Sequence, residues 1–218
     1  PVYGYQWRKW NGKIFKVPLK ELLDSEDTEL FKKIKNSTHI GDKSSGHPNY
    51  ETYCYFQEKV DQLANLIESI KTNPHGRRHI VSAWNPGEID LMGLPPCHYL
   101  FQCYVSNDGY LDLKLNQRSW DLGLGAPFNI AQYALLTHLI ARATGYKARK
   151  LIISYGDAHI YSNHLEKLKE RIYNFSPIDC DTQLVFKTDN TDIDGYKITD
   201  FEITGYESHP FLKLDVAV

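Results

Sequence analysis

The sequence has no apolar run long enough to span a bilayer, no excess of either charge and few cysteines. Each absence removes a class of protein. Without a run of about 20 apolar residues no transmembrane helix and no membrane partner are expected. Lys and Arg number 25 against 27 Asp and Glu, a formal net charge of −2, with the two signs interspersed. That argues against an obligate nucleic-acid partner and leaves room for one local phosphate site. The four cysteines, Cys54, Cys97, Cys103 and Cys180, show no metal-ligand spacing, so no metal is expected. With no signal peptide read ahead of them, a reducing, cytoplasmic setting is the default. No internal repeat or low-complexity tract is present. With 42% hydrophobic residues over 218 positions, a single soluble domain with a sizeable core is expected.

Periodicity gives the outline. Val60, Leu63, Ile67 and Ile70 recur at helical spacing among charged and amide residues, predicting an amphipathic helix over 58–71 that Asn73-Pro74 stops. Strands are expected over 79–84, 99–106 and 110–116, the last two joined at Asn107-Asp108-Gly109, residues that suit a hairpin turn needing positive φ. From Ile130 to Ala143 the pattern is apolar nearly all round, predicting a central helix buried on most sides and ended by Gly145. A strand over 150–155, an amphipathic helix over 162–173 on Leu165, Leu168 and Ile172, and a strand over 197–206 follow. The fold class expected is α+β, a mixed β-sheet packed with helices around the buried central helix. Asp24 to Tyr50 is rich in charged, Ser, Gly and Asn residues, while Leu22, Leu23, Leu30, Phe31 and Ile34 allow a short helix or two on the surface.

Two segments carry chemistry. In Pro95-Pro96-Cys97-His98 a cysteine stands between a proline pair and a histidine; the second segment, Gln117-Arg118-Ser119-Trp120-Asp121-Leu122-Gly123-Leu124-Gly125-Ala126-Pro127-Phe128-Asn129, begins twenty residues on. A thiol attacks only as its thiolate, so a catalytic cysteine needs cations and hydrogen-bond donors beside it. Arg118 can grip phosphate through its planar fork, and Asn129 can both donate to and accept from a ring edge. Blander roles compete with these. A lone cysteine is more commonly small apolar packing, and Asn129 with Gln132 three residues later, before a helix expected to begin at Ile130, reads equally as a capping box.

In this order the segments resemble the thymidylate synthase family. The resemblance runs through Pro1-Val2-Tyr3-Gly4-Tyr5-Gln6-Trp7-Arg8, Arg77-Arg78-His79-Ile80-Val81-Ser82-Ala83-Trp84-Asn85-Pro86, the two segments above, Gly156-Asp157-Ala158-His159-Ile160-Tyr161-Ser162-Asn163-His164 and Val216-Ala217-Val218. It implies methylation of deoxyuridylate (dUMP) to thymidylate (dTMP), with 5,10-methylenetetrahydrofolate as cosubstrate and dihydrofolate as second product. By the same resemblance Cys97 adds to C6 of the uracil ring, Arg118 supports the thiolate and binds phosphate with Ser119, and Tyr3 stands near C5 proton removal. Arg77 and Arg78 reach the phosphate in the other subunit, which makes a homodimer with shared active sites part of the expectation. Gln117 and His98 belong to the substrate-binding group, His98 as a supporting neighbour more than an acid or base. Asn129 reads the O4 and N3 edge of uracil, where the related deoxycytidylate hydroxymethylases have aspartate. His159 and Tyr161 hydrogen-bond the deoxyribose 3′-hydroxyl. Asp121 holds the pterin, Leu124, Gly125 and Phe128 wall the folate site, and Val218 closes it.

The sequence also departs from the family pattern. Trp120 and Ala126 stand where a small and a larger aliphatic residue are expected, which reads as a compensating volume swap; Asn116, Cys103 and Gln132 replace tyrosine, phenylalanine and serine. These changes keep a second outcome open, water capture of the methylene to give 5-hydroxymethyl-dUMP, and a third reading is a non-catalytic binding module of this fold. Pro1 already lies inside a family motif, so the usual amino-terminal segment is expected to be missing, and residues 11–57 are longer than in the family and read as an insertion.

Overall fold

The computed structural model describes residues 3–24, 28–44 and 52–216, and divides into two compact units, residues 1–65 with 81–95 and residues 66–80 with 96–218. Among the described residues no helix is long and apolar enough to cross a membrane. Helices and mixed sheets together give the α+β class expected.

The first unit opens with α1 (Tyr3–Arg8), β1 (Trp10–Pro18), α2 (Leu19–Asp24), α3 (Thr28–Lys35), β2 (Ser37–Ser44) and β3 (Thr52–Val60). The stretch read as an insertion thus contains the short helices expected, and also an antiparallel sheet in the order β1-β3-β2 that was not expected. Its core is small: Val17, Cys54 and Phe56 are buried, with Phe15, Leu22, Leu30 and Ile34 packed on them. Leu30 and Ile34 stand one turn apart on α3, and Lys32, Lys33 and Lys35 occupy the remaining positions of its last turn. In β2 the register slips between His39 and Gly41, a bulge.

The helix expected from residue 58 begins later. Thr52–Val60 stays in the sheet, and α4 (Gln62–Thr72) starts where Asp61 Oδ1 accepts the Ala64 N–H at 2.9 Å, an N-cap. Leu63, Leu66 and Ile70 form its buried stripe. Gln62 uses its whole amide: Nε2 donates to the carbonyls of Gln6 and Ser82 at 2.8 Å, and Oε1 accepts the Ser82 N–H at 3.0 Å. β4 (Ile80–Ser82) carries the chain from one unit to the other.

The second unit contains β5 (His98–Val105), β6 (Tyr110–Asp121), α5 (Gly125–Thr144), β7 (Lys147–His159), α6 (Leu165–Asn174), and a small antiparallel hairpin of β8 (Gln183–Phe186) and β9 (Phe201–Thr204). β5 and β6 are antiparallel, turning at Gly109 with φ +83, while β6 and β7 are parallel and joined through α5, which lies against both. Phe101, Cys103, Val105, Leu111, Leu113 and Leu115 alternate into the core. α5 ends in a Schellman turn, with Gly145 at φ +81, Tyr146 N–H on Ala141 O at 2.8 Å and Gly145 N–H on Arg142 O at 3.3 Å. Its apolar sequence predicted burial on most sides; the single chain buries Ala126, Tyr133, Thr137, Ile140, Ala141 and Ala143 and leaves Phe128 and Ile130 exposed.

Arg149 on β7 grips Asp112 on β6 through two hydrogen bonds, Nε to Oδ1 at 3.0 Å and Nη2 to Oδ2 at 2.8 Å, and the Lys150 N–H adds a third. The Arg149 hydrogen bonds hold the Asp112 carboxyl below the usual carboxylate range.

Candidate active site

The carboxyl-terminal half of β6 carries four of the expected site residues, Gln117, Arg118, Ser119 and Asp121, and the parallel register sets β7 beside them: Gln117 opposite Tyr155, Ser119 opposite Asp157, Asp121 opposite His159. Strand length explains why the site is ordered here. Sequence patterning expected strands only over 110–116 and 150–155, while β6 and β7 continue in register to Asp121 and His159. At Gly156 the strands approach closely: a Cβ there would lie 3.0 Å from the Arg118 carbonyl oxygen, so the neighbouring backbone would have to shift slightly.

Cys97 immediately precedes β5 and is partly exposed, with its thiol not disulfide-bonded. The Arg118 N–H donates to the Cys97 carbonyl at 2.9 Å, its Nε donates to the Pro96 carbonyl at 3.0 Å, and its Nη2 lies 3.8 Å from the Cys97 sulfur. A cation is therefore held at the sulfur by the backbone on either side of it. Cys103, on the same strand, contrasts: burial pushes its thiol up to about 12, so it is a packing residue.

His98 is hydrogen-bonded through Nδ1 to the Tyr133 hydroxyl at 2.7 Å, and burial lowers its pKa to about 4. Near neutral pH it is an uncharged imidazole. Gln117 is buried; its Nε2 donates to Asn129 Oδ1 at 3.0 Å and to the Ser119 carbonyl at 3.3 Å, and its Oε1 is a buried acceptor with no partner among the described residues. The capping role for Asn129 does not hold. α5 begins five residues earlier than Ile130, at Gly125, so Asn129 lies inside the helix, where its side chain meets Gln117. The carboxylate that serves the start of α5 is Asp121, whose Oδ1 and Oδ2 accept the N–H groups of Gly123 and Gly125 at 3.1 Å each. Pro127 fits the first turn, where a missing N–H leaves no gap in the helix.

His159 and Tyr161 stand together in an edge-to-face contact with centroids 5.0 Å apart, and the His159 carbonyl accepts the Leu122 N–H at 2.9 Å. Trp120 is buried and stacks on Tyr155 at 5.4 Å, while Ala126 is buried in the first turn of α5. Leu124 is half-buried at the helix start, Gly125 has Asp121 Cβ 3.6 Å from where its own Cβ would be, and Phe128 is 62% exposed. Arg77 and Arg78 occupy an exposed loop before β4 and form no ion pair among the described residues. Tyr3 lies on α1 in the first unit, and Val218 lies outside the described residues. Sequence reasoning missed one cluster altogether, His39, Asp42 and Cys54 in the small antiparallel sheet, because only the bulge in β2 brings them together.

The thymidylate synthase family matches residues 1–218. The chain is 53% identical over 160 residues, 70% of its length and 56% of the relative's, to a probable thymidylate synthase of Escherichia phage T5. It is 41% identical over 219 residues, 100% of its length and 60% of the relative's, to the thymidylate synthase of varicella-zoster virus (strain Dumas), and 44% identical over 213 residues, 97% and 73%, to that of Mesoplasma florum. The chain spans 56% and 60% of the length of the first two.

Proposed function

Because the chain belongs to the thymidylate synthase family, we propose that it converts dUMP and 5,10-methylenetetrahydrofolate to dTMP and dihydrofolate. The observation that carries this reading is the Arg118 guanidinium fixed 3.8 Å from the Cys97 sulfur, with the Gln117–Asn129 amide pair on the same strand and the helix that follows it. A guanidinium at this distance can pair with an attacking thiolate, and addition of that sulfur to C6 of the ring makes C5 a carbon nucleophile. One difficult substitution at C5 thereby becomes several accessible steps.

The amide pair fits a uracil edge. Asn129 Oδ1 is occupied by Gln117, which orients its amide so that Nδ2 can donate to O4, and Gln117 Oε1, buried and without a partner among the described residues, is an acceptor suited to a ring N–H. Neutral His98, held by Tyr133, neither competes with Arg118 for anionic groups nor supplies a proton near neutral pH. Arg118 and Ser119 bind phosphate, and His159 with Tyr161 takes the sugar hydroxyl. The folate, as cosubstrate, supplies both the methylene carbon and the hydride. Asp121 has acceptor capacity left beyond the two N–H groups it receives, which fits the donor groups of a pterin; Leu124, Gly125 and Phe128 offer apolar surface beside it.

We read the active form as a homodimer in which exposed Arg77 and Arg78 reach the phosphate of the neighbouring site, and a cytoplasmic setting accords with four cysteines that form no disulfide. Incubation with dUMP and the folate, followed by mass spectrometry of the nucleotide and absorbance of dihydrofolate, tests the assignment. Matched amounts of dTMP and dihydrofolate are expected. A hydroxymethylated nucleotide without dihydrofolate would overturn methylation, and an unaltered nucleotide would overturn the enzymatic reading.

A further inference from the structure

The bulge in β2 has a specific product. His39 is paired with Phe56 and Asp42 with Cys54, so three steps along β2 match two along β3, and Ile40 is the extra residue. In a regular strand, residues three apart face opposite sides. Here the extra residue turns His39 and Asp42 to the same side, the side on which Cys54 and Phe56 enter the core. Gly41 makes this possible: its φ is +145, a conformation that side chains rarely adopt, and nothing lies within 4 Å of where its Cβ would be, so dihedral and not space calls for glycine.

The result is a cluster of three different donors. His39 Nε2 and Asp42 Oδ1 are 2.7 Å apart, and these atoms with Cys54 Sγ all lie within 4.8 Å of one another. We propose that His39, Asp42 and Cys54 form a zinc site that pins edge strand β2 to β3. Ligand chemistry selects the ion. A thiolate with an imidazole and one carboxylate suits a borderline-soft divalent cation and not calcium or magnesium, which take oxygen. Geometry accommodates it. Two ligands of a tetrahedral zinc stand roughly 3.3–3.6 Å apart, so His39 and Asp42 separate by about half an ångström as the ion replaces the proton between them. The side chains of His39 and Asp42 are 49% and 53% exposed, which opens the fourth position to water, while Cys54 anchors the site in the core. Binding releases the Cys54 thiol proton to solvent and moves the His39 proton from Nε2 to Nδ1, which frees Nε2 to ligate. The same contacts are visible in the acid–base behaviour of the cluster: hydrogen bonds from His39 and Cys54 lower Asp42, and burial followed by the Asp42 hydrogen bond raises Cys54. Neither of the partly exposed thiols, Cys97 and Cys180, has donors arranged this way among the described residues.

Cobalt(II) reports the site directly, since thiolate coordination gives near-ultraviolet charge transfer and a tetrahedral ion gives strong visible bands. The full chain carrying Cys97→Ser and Cys180→Ser is titrated with Co2+, then with Zn2+ to displace it. One equivalent with both signatures, displaced by zinc, is expected. His39→Ala and Asp42→Asn sit at exposed positions and leave folding, followed by circular dichroism, intact; each should weaken binding by more than the ~10- to 100-fold that follows loss of an outer partner of a ligand. Cys54→Ser should remove the charge-transfer band. Absence of the band in the parent chain, or a spectrum unchanged by His39→Ala and Asp42→Asn, overturns the site and leaves the pair as inward charges that guard a sheet edge.

Discussion

Arg118 holds Cys97 from two sides at once, its amide on the Cys97 carbonyl at 2.9 Å and its guanidinium 3.8 Å from the sulfur. The strand pairing fixes where the Arg118 side chain starts, and the Nε hydrogen bond to the Pro96 carbonyl keeps its guanidinium at the thiol. Cys97→Ser should therefore abolish turnover while nucleotide affinity stays within about tenfold, because a hydroxyl fills similar space and is far less ionised. Trapping with 5-fluoro-dUMP and the folate reads this out: the parent forms a covalent ternary complex that survives denaturation and the serine variant does not. A covalent complex in the serine variant would exclude Cys97 as the nucleophile.

Arg77 and Arg78, exposed and without an ion pair among the described residues, motivate a test of site sharing. Mixed Arg78→Ala and Cys97→Ala proteins, each inactive alone, should regain activity after subunit exchange, since one site in each heterodimer then pairs an intact Cys97 with the neighbour's Arg78. No recovery once exchange is verified by mass would mean that each chain completes its own site.

Asn129→Asp separates base reading from packing. Aspartate still accepts the Gln117 hydrogen bond and sits near a helix amino terminus that favours negative charge, so stability should change by less than about 1 kcal/mol. It cannot donate to uracil O4 but can accept from a cytosine amino group, so preference should move from dUMP towards dCMP by about 1–3 kcal/mol. Competition kinetics with the two nucleotides decides it; an unchanged ratio would remove Asn129 from base recognition.

His98 predicts acid sensitivity with a definite sign. Its folded pKa, about 4, lies below the ordinary 6.5, so the unfolded chain binds more protons between those values. The stability contributed by the neutral imidazole is complete above pH 6.5 and is lost as pH falls towards 4, on the order of 3 kcal/mol at most. Urea unfolding across that range should show a steeper fall in the parent than in His98→Asn. Parallel curves would place the acid sensitivity elsewhere.

Arg149→Met leaves the buried Asp112 carboxylate without its bidentate partner. A loss of stability is expected, smaller than for a wholly buried pair because the guanidinium is partly exposed. Pairing it with Asp112→Leu should recover part of that loss. If the double variant is no better than the single, the carboxylate is not the source of the cost.

Much of the second unit was legible in the sequence because its signals are strong: alternating apolar residues on either side of Asn107-Asp108-Gly109 and a long apolar helix ended by Gly145. Boundaries failed where one residue served two patterns. Val60 fits the helical spacing of α4 yet pairs with Trp10 in the sheet, and the helix waits for the Asp61 cap. The helix expected from Ile130 starts at Gly125, so Asn129 lies inside it and the carboxylate at its start is that of Asp121. Of the β8–β9 hairpin, a strand was expected only over 197–206, where β9 lies, and none was expected over β8. The proximity of Arg118 to Cys97, by contrast, was expected from the family resemblance, since residue types alone leave a lone cysteine as packing.

The parallel pairing of β6 with β7 also sets what lengths of chain the site can accept. A single-residue insertion anywhere between Leu115 and Asp121 would shift the alternation of every following residue, exchanging Gln117, Ser119 and Asp121 for Arg118 and Trp120 across the sheet. Insertions and deletions in descendants of this sequence should accordingly collect in the connection from Phe175 to Thr182 and between β8 and β9, where length can vary without moving a functional atom.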